Sequence, residues 1–138
     1  MVAADFRAVD LAAAVAAAGK KNNRRKKMNL NEYQSLALRT LTEKDPKQNL
    51  TLGVMGLAGE SGECIDLVKK HVFHDHPLAE QKLKEELGDV LWYLAVTAHS
   101  MGVSLDEVAE TNVQKLKTRY PNGFTSADSI ARVDYNKK

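Results

Sequence analysis

From residue 29 onward, apolar side chains recur at three- and four-residue spacing, and they predict four helices. The first, capped by Asn29 or Asn31, carries Leu30, Tyr33, Leu36, Ala37 and Leu41 and is broken by Glu43-Lys44-Asp45-Pro46-Lys47. The second, from about Asn49 to Lys70, is apolar almost all round, with Leu52, Val54, Met55, Leu57, Ile65, Leu67 and Val68. Such a helix belongs at the centre of a fold. His71 to His76 reads as a loop, and Pro77 suits the first turn of a third helix that ends near Met101, with Gly102 as its terminator. Its core stripe is Leu83, Leu87, Val90, Leu91, Leu94, Ala98 and Met101. The fourth opens on a capping box, Ser104-x-x-Glu107, carries Leu105, Val108, Ala109, Asn112, Leu116 and Tyr120, and stops at Pro121 and Gly123. After Phe124 the chain is polar and expected to be loose. With no strand runs and no repeats, the expected fold class is all-α, a four-helix arrangement with short connections.

Four glycines, Gly53, Gly56, Gly59 and Gly62, interrupt the second helix at three-residue intervals. Each costs roughly 1 kcal/mol against alanine in a helix, so something must compensate. Lacking a Cβ, they admit either a neighbouring helix or a ligand close to the backbone.

The chain of 138 residues suits one domain, and its 43% apolar and 28% charged residues are those of a soluble globular protein. Its longest apolar runs, 52–59 and 90–98, fall far short of the roughly 20 residues that span a bilayer. A single cysteine, Cys64, cannot form an internal disulfide, and the expected compartment is the cytoplasm. The net charge of +2 conceals a division: residues 1–27 hold seven Lys or Arg against Asp5 and Asp10, giving +5, which leaves −3 for the rest. Basicity that sits in a tail argues against a nucleic-acid partner for the body. The Ala-rich and basic stretch 1–27 places its charges after its apolar part, the reverse of a secretory signal. It reads as a disordered extension without a specific role, and Met28 directly after it offers an alternative start. The division expected is therefore 1–27 extension, 28–124 helical domain, 125–138 polar tail.

The second and third helices each carry two acids three residues apart, Glu60-x-x-Glu63 and Glu86-x-x-Asp89. Three-residue spacing puts each pair on one helical face. Acids at helical spacing are ordinarily a solvated face. Here, however, Glu60 and Glu63 stand among glycines in the most apolar helix, and Glu86 and Asp89 flank the stripe of the third. If those helices pack antiparallel, the pairs can converge, and four mutually repelling carboxylates need a cation or protons. An all-oxygen site suits Mg²⁺ or Mn²⁺.

The run Gly56-Leu57-Ala58-Gly59-Glu60-Ser61-Gly62-Glu63, followed by Glu86-Leu87-Gly88-Asp89-Val90-Leu91-Trp92-Tyr93-Leu94, resembles the ExxE and ExxD signature of MazG-like nucleoside triphosphate pyrophosphohydrolases. The resemblance extends from Leu30-Asn31-Glu32-Tyr33-Gln34 through Asn112-x-x-Lys115-Leu116 to Arg119-Tyr120-Pro121-Asn122-Gly123-Phe124. It implies an all-α, Mg²⁺-dependent bundle, assembled as a homodimer or dimer of dimers, that cuts nucleoside triphosphates between the α and β phosphates. Glu60, Glu63, Glu86 and Asp89 match the family's metal ligands, with one of the first two orienting the attacking water. Asn112, Lys115 and Arg119, along one side of the fourth helix, are candidates for phosphate contact. Trp92 or Tyr93 is a candidate to stack on a base, and Gln34 is a further substrate candidate.

Three rivals are weighed against this reading. A di-iron bundle needs Glu-x-x-His on two helices, and no Glu here is followed by His at that interval. A helical nucleic-acid module would rely on the basic arm, and a structural or regulatory bundle that had lost the activity would have no need of all four acids; within the enzyme class, phosphoribosyl-ATP pyrophosphatase is the runner-up. Lys69 and Lys70 read as partners of the helix dipole, and His71, His74 and His76 as loop histidines rather than a zinc site.

Overall fold

A computed structural model describes residues 27–42 and 45–134. The extension expected over 1–27, Lys27 apart, and residues 135–138 of the tail fall outside the described residues. Among the described residues five helices succeed one another: α1 (Leu30–Ala37, continued by a 3₁₀ turn, Leu38–Thr40), α2 (Pro46–Phe73), α3 (Glu80–Ser100), α4 (Leu105–Arg119) and α5 (Ser126–Ala131). There is no strand among the described residues, and the all-α class is as expected. No described helix is long and apolar enough to cross a membrane.

Two prolines act differently from their expected roles. Pro46 does not merely end the first helix; it occupies the first turn of α2, where a missing N–H costs nothing. Pro77 lies in the connection before α3, whose ladder starts with Leu83 N donating to Ala79 O. The expected loop from His71 begins later, at His74, whose N–H still bonds to Lys70 O. Asp75 then turns the chain at φ 55°, and the His71 Nδ1 and His76 O atoms, 2.8 Å apart, close the turn. At the far end of α3, Gly102 adopts φ 74°, the left-handed conformation that glycine takes without strain, so it does terminate that helix.

α2 and α3 form the principal packed pair, and the contact is made where α2 lacks side chains. A Cβ on Gly53 would lie 2.4 Å from Thr97 Oγ1 and 3.1 Å from Thr97 N, and one on Gly56 would lie 2.0 Å from Tyr93 Cε1. Both glycines therefore serve helix packing. Gly59 and Gly62 have no such neighbour within 4 Å. α1 and α4 pack onto α3 and onto each other, closing a core of Ala95, Ala98 and Leu105 flanked by Tyr33, Ala37, Leu94 and Val103. The expected α3 stripe is only partly right, because Leu87 and Met101 are exposed while Ala95 and Val96 are buried.

The start of α4 shows why the N-terminal segment docks where it does. A helix leaves its first backbone donors without partners. Here Leu105 N donates to Gln34 Oε1 (2.9 Å), Asp106 N to Asn31 Oδ1 (3.3 Å) and Glu107 N to Ser104 Oγ (3.1 Å). Gln34, buried, also donates from Nε2 to Val103 O at 3.2 Å. Gln34→Leu should therefore cost about 1–3 kcal/mol, the penalty of stranding buried backbone groups, read as a lower urea midpoint; an unchanged midpoint would refute this role.

The tail is not uniformly loose: α5 forms a short fifth helix because Thr125 Oγ1 accepts from Asp128 N, an N-cap within an otherwise polar segment. Arg119 fastens the end of this segment to α4, donating from Nε to Asp134 Oδ1 (2.7 Å) and from Nη2 to Oδ2 (2.5 Å). Those bonds hold the Asp134 carboxyl below its usual range. Its contribution is complete above the ordinary aspartate value of about 3.9 and is lost as pH falls through the lower folded value. Amide resonances of 126–134 should accordingly shift with acid before the other helices unfold. Coincident loss of all helices would contradict the clasp.

Candidate metal centre

Antiparallel packing of α2 and α3 brings together acids from the two signature motifs. Glu60 from α2, and Glu86 and Asp89 from α3, each offer a carboxylate oxygen, and these oxygens lie within 4.8 Å of one another. Glu86 is the innermost, only 6% exposed, while Asp89 faces solvent. Glu63 is outside this trio. It lies exposed nearly one turn along α2, and its charge still acts on Glu60. Three of the four expected acids thus converge at one level of the helix pair.

The electrostatics are those of a crowded anionic site. Partial burial first, then the charges of Asp89 and Glu86, push the Glu60 carboxyl above its ordinary value. Burial, with Asp89 as second cause, likewise raises the Tyr33 phenol, which places α1 beside the cluster. Lys82, one turn before Glu86, gives partial relief: its Nζ lies 2.7 Å from Glu86 Oε1, and that bond raises the lysine's own affinity for its proton. A trio of hard oxygen donors, one buried and one with its charged form disfavoured by its neighbours, fits a divalent Mg²⁺ or Mn²⁺ ion.

The other candidates are placed elsewhere. Tyr93 fills the space above Gly56 and meets Trp92 edge-on, with centroids 4.9 Å apart. Trp92 Nε1 donates to Ala37 O (3.1 Å) and Thr40 Oγ1 (2.9 Å), pinning the 3₁₀ turn to α3. Both rings, half-buried, take part in packing against α2 and the 3₁₀ turn. Gln34 spends its amide on the start of α4, and Arg119 is engaged with Asp134. Asn112 and Lys115 are exposed on α4, a helix that packs on α1 and α3. Lys69 and Lys70 both bind Asp66, at 2.5 and 2.6 Å, and hold its carboxyl at about 2. Among the described residues no group containing His71, His74 or His76 comes close enough to hold a metal.

Sequence reading missed Lys82. The signal was present, since Lys82 and Glu86 are four apart on one helix, the spacing of an ion pair.

Comparison with known proteins agrees with this geometry. The family model of the MazG nucleotide pyrophosphohydrolase domain matches residues 48–124, which include all four signature acids and leave α1 outside. The Gene 37 protein of Mycobacterium phage L5 is 37% identical over 83 residues, covering 57% of this chain and 73% of that protein. No solved structure matches. With the acids of α2 and α3 gathered at one place and the family model spanning more than half of the sequence, the chain belongs to the MazG nucleotide pyrophosphohydrolase family.

Proposed function

We propose that the protein hydrolyses nucleoside triphosphates, ribo or deoxyribo, between the α and β phosphates, with Mg²⁺ as cofactor, releasing a nucleoside monophosphate and pyrophosphate. The convergence of Glu60, Glu86 and Asp89 within the family's matched span is the observation that carries this reading. These three side chains would hold the cation, which when bound neutralises the triphosphate and acidifies water. Packing of Tyr93 on Gly56 fixes the level at which α2 and α3 meet, and so the distance between their carboxylates. Glu63, free of ion pairs among the described residues and beside the trio, would take the proton from the water that adds across the anhydride bond. The test is a panel of ribo- and deoxyribonucleoside triphosphates, with phosphoribosyl-ATP as the rival substrate, incubated with protein and Mg²⁺. Monophosphate and pyrophosphate are expected from the panel; diphosphate and orthophosphate would refute the bond assignment, and turnover of phosphoribosyl-ATP alone would favour the rival.

The same reading includes a homodimer or larger assembly. Its support is the apolar surface that one copy leaves bare: Val54, Met55, Ile65, Val68, Val72 and Phe73 are all exposed along α2, beyond what scattered surface hydrophobics explain. Light scattering at micromolar concentration should give at least twice the mass of one chain. A monomer would count against the assembly.

A further inference from the structure

Lys82 is 58% exposed at its side chain, yet its ammonium reaches a carboxylate that is 7% exposed. A charge-assisted hydrogen bond to Glu86 holds it there, and its remaining pairing, with Glu85, is long at 3.9 Å. Among the described residues no other Lys or Arg makes an ion pair with Glu60, Glu86 or Asp89. A dication entering this cluster therefore meets a cation already seated on its most buried ligand. The two compete for Glu86, since each lowers the negative potential that attracts the other. Without either, three carboxylates within 4.8 Å of one another lack a counter-charge.

We infer that Lys82 is the built-in counter-ion of the metal centre: it sustains the acidic cluster when no metal is bound and sets the divalent affinity by competing for Glu86. It is a positioning residue, acting on the ion through Glu86. The inference rests on the metal-centre reading above, and its test separates the two. Mn²⁺ is titrated into the full chain without nucleotide, free ion being followed by electron paramagnetic resonance, for wild type, Lys82→Met, Lys82→Arg and Asp89→Asn. Lys82→Met should bind Mn²⁺ roughly three- to tenfold more tightly, the scale of losing one solvent-screened charge nearby, while Lys82→Arg stays near wild type. Metal-free Lys82→Met should also melt below wild type, and saturating Mn²⁺ should remove that difference. If Asp89→Asn loses the ion but Lys82→Met binds it no more tightly than wild type, the metal centre stands and this inference falls. If Asp89→Asn binds as wild type does, both fall.

Discussion

Asp89→Asn and Glu86→Gln should each abolish turnover while leaving the helical circular dichroism intact. Each removes one anionic oxygen from a set of three that lie within 4.8 Å of one another, so the remaining pair cannot hold a divalent ion at the same strength. Loss of a partner that merely orients a ligand costs roughly 10- to 100-fold, and loss of a ligand itself should exceed that. Glu86→Gln carries a second signature, since Lys82 then loses its charged partner at 2.7 Å. Glu63 lies outside the trio and gives the contrast: Glu63→Gln should slow turnover with Mn²⁺ binding retained, whereas Asp89→Asn should lose both. Turnover within threefold of wild type in Asp89→Asn would remove the metal centre from the mechanism.

The second large effect is on stability. Gly53→Ala should destabilise the protein by about 1–3 kcal/mol, the usual cost of overpacking, although alanine is the better helix former. The added methyl would meet Thr97 Oγ1 at 2.4 Å and, more importantly, Thr97 N at 3.1 Å and Cα at 3.2 Å, backbone that cannot rotate away. α2 must then move off α3, and because the acids sit on the same pair of helices, Mn²⁺ affinity should weaken with it. Gly59→Ala meets nothing within 4 Å in the chain and should gain up to about 1 kcal/mol from helix propensity. Thermal midpoints of the two variants, measured side by side, check the contrast. Equal behaviour of both would mean that the glycines do not set the approach of the helices.

The features legible in the sequence were those decided locally. The Ser104-x-x-Glu107 box and the Gly102 stop each depend on a few adjacent residues and are found in place, and of the two expected caps of α1, Asn29 and Asn31, it is Asn29 that serves. Proline was less transparent, because Pro46 both ends one segment and opens the next. Periodicity placed the glycines and the acids on the right faces but could not say at which level two helices touch. That level depends on their crossing, and it separates Gly53 and Gly56 from Gly59 and Gly62, and Glu60 from Glu63. The roles of Gln34 and Trp92 depend on partners far along the chain, Leu105 and Ala37, which no local pattern reveals. Short α5 escaped notice because its cap, Thr125, lies in a polar run without a stripe to announce a helix.

The most direct trial of the metal centre is a crystal soaked in Mn²⁺ and recorded at a wavelength where manganese scatters anomalously. A peak within coordination distance of Glu60, Glu86 and Asp89, with Lys82 drawn back from Glu86, is the predicted result. Anomalous density absent from these side chains in a fully soaked crystal, or found only at another site, would contradict it.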